Sequence, residues 1–360
     1  MRQSELNILI TDGSYKNAIS VMKNIRRAYP EAKIYAHCTS RLDVFFIPNK
    51  RNYFPVHGSL EDIISARDYD VIIPVSGQSV KKCAALNLDN AAVPDKKRLN
   101  QAFDKKNLSK FINGSGLLYP TVYPLSSESV SSDFFPFVIK TANETLDKMD
   151  AIYINNEADW RVFKEYEKNL KVERENLIAQ KRVQGASRGY FAFFYHGRFV
   201  CEFMHERVRQ IPHTGGASTS AKSFHDAEIS LIAREFLLKK KWHGPVMMEF
   251  IYNSAEEKYF LIEINPKLWG SLDLAHSSGV DFGVAIVSSI LKDGKFKTPN
   301  ILKKQVSWVL DGDIVTIFRT RNFSALLSYF RENHSLIFGE TLVSIFIKTY
   351  QSLKKIVGGG

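Results

Sequence analysis

Short apolar runs alternate with an amphipathic stretch in the first part of the chain. Apolar runs bounded by turn residues are typical of buried strands, whereas an apolar residue every three to four positions is typical of a helix. The pattern predicts strands at 6–11, 33–38 and 68–76, and a helix at 15–30. Alternating strands and helices usually build a parallel sheet. We therefore expect a small parallel α/β domain over residues 1–93.

The pattern changes after Val93-Pro94. Residues 94–124 predict two helices followed by a glycine-bounded turn, and the serine-rich residues 125–133 predict a surface connection. The next elements are predicted as a strand, a strand, an amphipathic helix and a strand, at 134–140, 151–156, 157–171 and 175–183. This order is that of a small α+β module.

Longer strands are predicted after residue 183. Two of them flank His196-Gly197, a flexible segment follows at 209–223, and an N-capped helix is expected at 226–241. The last part of the chain begins with a strand-like run at 306–320 and ends with a basic amphipathic helix at 341–356. Such a helix usually packs on its own domain, and the alternative is peripheral contact with a membrane.

A predicted hairpin, VMMEFIY and KYFLIEIN, carries the most informative polar residues. Glu249 and Glu263 lie symmetrically about Glu256, so a hairpin places them opposite each other. Alternation puts an apolar set on one face: Met248, Phe250, Tyr252, Phe260, Ile262 and Ile264. The other face is expected to carry the polar set with three apolar residues: Glu249, Glu263, Asn265, Ile251, Tyr259 and Leu261.

These carboxylates predict a metal site, although acidic residues on a solvated face are the simpler alternative. A solvated face would normally be polar throughout, and this one is not. Opposed carboxylates repel unless a positive charge lies between them. Two carboxylates and an amide oxygen are the donor set that Mg²⁺ uses when it also holds nucleotide phosphates. A sharp turn at Pro266 then ends the strand.

The composition restricts the class of protein. At 360 residues, with 44% hydrophobic and 24% charged residues, the chain is long enough for two or three globular domains. Its three scattered cysteines give no disulfide or metal pattern. We find no secretory signal and no apolar run of about 18 residues. We therefore expect a cytoplasmic protein.

The chain is basic: lysine and arginine exceed aspartate and glutamate by 49 − 38 = 11. A positive net charge suits anionic small molecules, nucleic acid or a membrane surface. The charge is spread along the chain, and we find no nucleic-acid-binding motif. We therefore expect anionic small-molecule ligands and no nucleic acid.

Basic residues precede the hairpin in a fixed order. Lys105 lies in Asp104-Lys105, which is expected to begin a helix, and Lys140 ends an apolar strand. Gln180-Lys181-Arg182-Val183 ends another strand, and Arg207 and Arg209 follow a third. Together with Glu249, E-I-N-P at 263–266, W-G-S, A-H-S-S-G-V-D-F and R-Q-I-P-H-T-G-G, this order resembles the ATP-grasp superfamily over about residues 5–295. The resemblance is to its carbamoyl-phosphate-synthase-like, carboxylate–amine ligase type.

The resemblance implies an α/β and α+β multidomain fold. The expected order is an N-terminal parallel α/β domain, a first ATP-grasp lobe with the mobile lid, a second lobe with the Mg²⁺ site, and a C-terminal extension, over residues 1–93, 94–183, 184–300 and 301–360. The family often has a glycine-rich phosphate loop where this chain has the glycine-free residues 141–149. A tight nest of backbone N–H groups is less expected there.

The resemblance also implies roles for individual residues. The expected Mg²⁺ ligands are Glu249, Glu263 and Asn265, and Mn²⁺ is an alternative ion. The expected ATP contacts are Lys105 and Lys140 on the phosphates, and Gln180, Lys181 and Val183 around the adenine. Gln180 stands where the family usually has an acid. The expected catalytic residues are Arg209 near the γ-phosphate, Asn265, and Lys267, which stands where many relatives carry arginine.

The resemblance implies an ADP-forming ligase that joins a small carboxylic acid to an amine or a thiol through an acyl phosphate. The residues expected to recognise the substrates are Arg207, His213, Gly215, Gly216 and Lys222. A homodimer is a further expectation. Two alternatives stay open: an ATP- and Mg²⁺-dependent small-molecule kinase of the same fold, and a non-enzymatic basic module that binds anions. Asp12-Gly13, at the end of the first strand, is either a turn or a ligand contact.

Overall fold

A computed structural model describes most of the chain: residues 5–47, 52–125, 132–143, 149, 151–170, 172–211, 217–325, 333–334 and 349. Its strands form three sheets. Each sheet is covered by helices, and the apolar residues between the layers form the cores.

The first sheet is parallel, with the strand order β3-β2-β1-β4. Its strands are β1 (Asn7–Ile10), β2 (Lys33–Cys38), β3 (Phe54–His57) and β4 (Val71–Ile73). Its helices are α1 (Lys16–Ala28), α2 (Leu60–Ser65) and α3 (Gly77–Leu86), and a 3₁₀ turn spans Arg41–Phe46. The predicted parallel α/β arrangement is confirmed. The sequence pattern missed β3, a short edge strand that contains a proline, as edge strands can.

The second sheet is antiparallel, with the order β5-β8-β6-β7. Helices α4 (Lys96–Phe103) and α5 (Leu108–Ile112) precede it. Its strands are β5 (Val122–Pro124), β6 (Phe137–Thr141), β7 (Ile152–Ile154) and β8 (Leu177–Lys181). Helix α6 (Glu157–Glu167) packs Trp160 and Phe163 against one face of this sheet.

The third sheet is the largest, with the order β13-β12-β9-β10-β11-β14-β15. Its strands are β9 (Ala186–Tyr195), β10 (Arg198–Ile211), β11 (Ala217–Phe224), β12 (Gly244–Asn253), β13 (Lys258–Asn265), β14 (Gln305–Ser307) and β15 (Asn333–His334). Helix α7 (Ala227–Lys239) contributes to the core on one face. The core on the other face includes α1, α8 (Leu272–Ser277) and α9 (Phe282–Leu291).

Strand β11 corrects the expectation of a flexible segment at 209–223. It pairs with β10 on one side and β14 on the other, and Thr219, Ser220 and Ala221 are buried. Its residues are small and show no apolar alternation. The sequence pattern therefore did not predict this strand, which lies inside the sheet. Residues 212–216, including His213, Gly215 and Gly216, lie outside the described part of the chain.

A bulge corrects the predicted faces of the hairpin. Glu249 does pair with Glu263, but Phe250 pairs with Leu261, so Ile262 is an extra residue. Beyond the bulge the alternation is inverted: Tyr259 and Leu261 join the core, and Phe260 pairs with Ile251. The expectation that Leu261 and Tyr259 share the acidic face was therefore wrong, and so was the placement of Phe260 and Ile262 on the core face.

Only the start of the predicted strand at 306–320 is a strand. After β14 the chain forms a π-helical turn, Val309–Asp313, and then helix α10 (Ile314–Thr320). The turn buries Asp313 completely, and its carboxylate accepts two hydrogen bonds of 2.8 Å from Arg209. This ion pair attaches the C-terminal segment to β10. The predicted helix at 341–356 lies almost wholly outside the described residues.

None of the helices in the described residues combines the length and the apolar composition that a membrane span requires.

The Arg209–Asp313 pair predicts a large effect on stability. Replacing Asp313 by Ala leaves the guanidinium of Arg209, which is 11% exposed, without its carboxylate. Removing one partner of a buried pair costs about 3–5 kcal/mol in the free energy of unfolding. Urea titration followed by tryptophan fluorescence measures this loss. The control is Glu157→Ala, which breaks an ion pair whose side chains are 70% and 76% exposed and should leave the urea midpoint unchanged. Equal midpoints for both variants would contradict the proposed anchoring.

Candidate functional site

A cleft of about 1270 Å³ lies between the three sheets. We call the lining residues of β12 and β13 its floor, those of β6 and β8 one wall, and those in loops of the parallel sheet the N-terminal wall. The cleft collects most of the predicted site residues: Lys105, Lys140, Gln180, Lys181, Val183, Arg207, Glu249, Glu263, Asn265 and Lys267.

Two opposed carboxylates occupy the floor, and each is paired with a cation. Glu249 accepts a hydrogen bond of 2.6 Å from Nη2 of Arg207, and Oε2 of Glu263 lies 3.0 Å from Nζ of Lys105. The amide of Asn265 donates to Oε1 of Glu263 at 2.6 Å. All four charged side chains are less than a quarter exposed. The repulsion expected between Glu249 and Glu263 is therefore offset by the protein's own cations.

The charges in this cluster shift each other's pKa values. Burial alone would raise the pKa of Glu263, but Lys105 and Lys140 outweigh it and hold that pKa well below its usual range. Burial and, to a smaller extent, the charge of Lys105 lower the pKa of Lys140 to about 8, although Glu263 and Glu249 act in the opposite direction. Glu263 is thus a carboxylate at neutral pH. Lys140 is protonated there, although burial disfavours its charge.

Backbone contacts hold the cations in place. Asp104 is the C-terminal cap of α4, so Asp104-Lys105 ends a helix and does not begin one, contrary to the expectation. The N–H of Lys105 donates to Ala142 O at 2.9 Å, and its carbonyl accepts from the Tyr119 hydroxyl at 3.1 Å. Lys140 lies on β6, two residues before Ala142, which accepts the hydrogen bond from Lys105.

The end of β8 forms a different part of the cleft. Gln180 is only 3% exposed, and its Nε2 has no hydrogen-bond partner among the described residues. The ammonium of Lys181 donates to the carbonyls of Asp133, Phe134 and Phe135 at 3.1, 3.0 and 2.7 Å. The side chain of Lys181 is therefore bound to the segment that precedes β6. Val183 is half-buried.

Two predicted residues do not line the cleft within the described part of the chain. Arg209 is bound to Asp313, because a bulge at Val208 places it differently from Arg207. Lys222 is half exposed and lies 3.0 Å from Glu206. Neither placement matches the expected contact with phosphate or substrate. His213, Gly215 and Gly216 are outside the described residues.

The parallel sheet supplies site residues that the sequence reasoning missed. Thr39, Ser76, Gly77 and Gln78 line the cleft after the carboxyl ends of β2 and β4. Asp12, at the carboxyl end of β1, lines it too, and for this residue the sequence had left a turn or a ligand contact open. Ligands of open α/β sheets usually bind at this edge, so the predicted order of strands and helices could have indicated these residues.

The donor set fits a magnesium ion. Two carboxylates and one amide are hard oxygen donors, and Mg²⁺ usually takes only one or two protein carboxylates together with substrate oxygens. The described residues contain no cluster of three or more His, Cys, Asp or Glu side chains that could hold a metal by itself. A metal in this cleft would therefore depend on oxygen atoms of a ligand, which the nearby cations could also bind.

Comparison with known proteins finds similarity in structure and not in sequence. No family model matches the chain, and no curated protein matches it. The biotin carboxylase domain dimer of Hydrogenobacter thermophilus 2-oxoglutarate carboxylase, solved with MgADP, ADP and bicarbonate, matches with a TM-score of 0.65 at 10% identity, over 83% of this chain and 73% of that one. The L-amino acid ligase of Bacillus licheniformis matches with a TM-score of 0.62 at 11% identity, over 85% and 80%.

Pyruvate carboxylase of Rhizobium etli matches with a TM-score of 0.65 at 13% identity, over 84% of this chain. This chain spans only 30% of that longer enzyme. The structural matches are ATP-grasp proteins, and the chain has the ATP-grasp fold. At such low identity the likeness establishes the fold, so the reaction has to be argued from the cleft.

The pKa of Lys140 is a direct test of this charge cluster. Its ¹³Cε NMR signal, assigned with Lys140→Arg, should titrate near pH 8, well below the ~10.4 of an ordinary lysine. Since the unfolded chain holds this proton up to about pH 10, Lys140 should make the fold more stable as the pH rises from about 8 to about 10. Lys105→Gln should raise the pKa, and Glu263→Gln should lower it. Shifts in the opposite directions would contradict the described contacts.

Proposed function

We propose that the protein is an ATP- and Mg²⁺-dependent, ADP-forming ligase that joins a small carboxylic acid to an amine. One observation carries this proposal: Glu249, Glu263 and Asn265 converge on a hairpin floor, and Lys105, Lys140 and Arg207 face the same cleft. Phosphoryl transfer requires positioning and charge neutralisation more than a protein nucleophile. A paired set of carboxylates and cations provides both.

The residues of the cleft would have different roles in this reaction. Glu249, Glu263 and Asn265 would hold Mg²⁺, which when bound neutralises phosphate charge and orients its oxygens. Lys105, Lys140 and Arg207 would contact the phosphates, and Gln180, Lys181 and Val183 would surround the base. Arg207 takes the part expected of Arg209. Lys267 would lie near the reacting carboxyl group as a point charge.

The proposed reaction has two steps. A carboxylate oxygen of the acid attacks the γ-phosphorus of ATP, and the bond from that phosphorus to the β,γ-bridging oxygen breaks. The products of this step are an acyl phosphate and ADP. The amine nitrogen then attacks the acyl carbon, phosphate leaves, and the proton of the amine passes to solvent. A thiol could replace the amine in the second step. Closing the cleft to water would protect the acyl phosphate from hydrolysis.

The related structures support this class of reaction without identifying the substrates. One neighbour is an L-amino acid ligase, and another was solved as a dimer with MgADP. We therefore propose carboxylate–amine ligation, a homodimer, a cytoplasmic location, and the division of the chain at residues 93, 183 and 300. Mn²⁺ is proposed as an alternative ion.

A substrate panel tests the function. Amino acids and sugar acids, each offered alone and with amines, are scored for ADP release with Mg²⁺, and mass spectrometry identifies the product. A ligase requires both an acid and an amine, whereas a small-molecule kinase releases ADP with one substrate. ADP release that needs no amine, with a stable phosphorylated product, would contradict the proposal.

Glu263→Gln should reduce turnover at least about 100-fold, because it removes a charge that holds Mg²⁺ while preserving shape. The matched control is Glu256→Gln, since Glu256 lies exposed at the turn of the same hairpin. The control should keep normal activity, and both variants should keep the circular dichroism spectrum of the wild type. Equal activity of the two variants would exclude Glu263 from the site.

The ion pairs of the cleft predict opposite effects on the binding of two forms of ATP. Lys105 pairs with Glu263 in this structure, so a nucleotide phosphate has to compete for that lysine. Glu263→Gln should therefore strengthen binding of ATP in EDTA by several-fold and weaken binding of MgATP. Isothermal titration calorimetry measures both affinities. If the affinities for ATP and for MgATP both rose or both fell, Glu263 would not be releasing Lys105 when it binds the metal.

A further inference from the structure

A carboxylate on the N-terminal wall of the cleft has no counter-ion among the residues that the structure describes. Asp12 is only 8% exposed and lines the cleft at the carboxyl end of β1. Of the acidic residues that line the described cleft, Glu249 and Glu263 are paired with Arg207 and Lys105. None of the described lysine or arginine side chains pairs with Asp12. A carboxylate with this degree of burial normally has such a partner.

One oxygen of Asp12 is fixed by three donors. Oδ2 accepts from the Thr11 hydroxyl, the Ser76 N–H and the Ser79 hydroxyl at 2.5, 2.9 and 2.8 Å. The Thr11 hydroxyl in turn accepts from the Val75 N–H at 2.9 Å, so the strand ends of β1 and β4 hold the side chain together. Oδ1 receives no hydrogen bond from the described residues, and it is not sealed from solvent.

The backbone is also fixed in an uncommon conformation. Asp12 has φ +53°, in the left-handed region that side-chain-bearing residues rarely adopt. Gly13 follows it, and a Cβ there would lie 2.9 Å from the Cβ of Ala36. The Gly13 N–H donates to His37 O at 2.8 Å. Strain of this kind is retained where the surroundings define one orientation, and in this orientation Asp12 lines the cleft.

We propose that Asp12 binds the amino group of the second substrate. The inference rests on the proposed ligase function and deepens it. A carboxylate oxygen only accepts hydrogen bonds, so its ligand must be a donor, and a cation fits best. ATP and the acid substrate are anions that suit the basic wall, Lys105, Lys140 and Arg207. The amine is the one reactant whose cationic form matches Asp12, and the bound ammonium loses one proton to solvent before its nitrogen attacks.

The variant Asp12→Asn separates this role from a structural one. The single oxygen of Asn can still accept from Thr11, Ser76 and Ser79, whereas the opposite orientation would point its NH₂ at three donors. The fold is therefore kept, and a donor replaces Oδ1. The matched control is Asp70→Asn, because Asp70 accepts from the Asn7 N–H at 2.7 Å at the other end of the same sheet.

Two assays are run on each protein with the amino-acid and sugar-acid panel. The first traps the acyl phosphate with hydroxylamine and measures hydroxamate, which reports activation of the acid. The second measures amine-dependent product and the KM for the amine. We expect Asp12→Asn to keep hydroxamate formation within about threefold and to raise the KM for the amine about tenfold or more, the loss expected for a charge-assisted hydrogen bond. Asp70→Asn should match the wild type in both assays.

Three results would overturn the proposal. An unchanged KM for the amine in Asp12→Asn would show that Asp12 does not contact it. Equal loss of hydroxamate and product would show a structural role. Hydroxamate formation by the wild type without turnover of any panel amine would show that the acceptor is not an amine. Absence of hydroxamate with every acid is a separate result, which rejects the ligase function itself and the inference with it.

Discussion

The pairing of Glu249 with Glu263 across one hairpin is the constraint on which the site depends. Two carboxylates forced together by strand register need nearby positive charge, and this fold supplies it from separate elements. Arg207 comes from β10 and Lys105 from the turn after α4. The cleft is thus held together by ion pairs in which a metal ion could take the place of the cations and a phosphate that of the carboxylates.

Elements beyond the hairpin also shape the site. A bulge in β10 separates Arg207, which pairs with Glu249, from Arg209, which pairs with Asp313 of the C-terminal segment. The parallel sheet adds Asp12 to the lining of the cleft that also contains the basic residues. A cleft that holds several cations and a carboxylate without a described counter-ion suits a reaction between an activated acid and an amine.

The sequence predicted the parts of the structure that strong local patterns encode. The pairing of Glu249 with Glu263 followed from their symmetry about Glu256, and the parallel sheet followed from its buried strands. The bulges were not predictable, because Ile262 fits a core face or a site face equally well. Likewise, nothing in the order Arg207-Val208-Arg209 indicates which arginine enters the cleft. Contacts between distant segments, such as Arg209 with Asp313, decide these outcomes.

The account is tested most directly by locating the metal. A crystal structure with Mn²⁺ and a non-hydrolysable ATP analogue gives anomalous scattering that identifies the ion. The account predicts Mn²⁺ bound by Glu249, Glu263 and Asn265, with Lys105 moved from Glu263 to a phosphate. An ion bound elsewhere, or Lys105 and Arg207 still paired with both carboxylates beside a bound nucleotide, would contradict it.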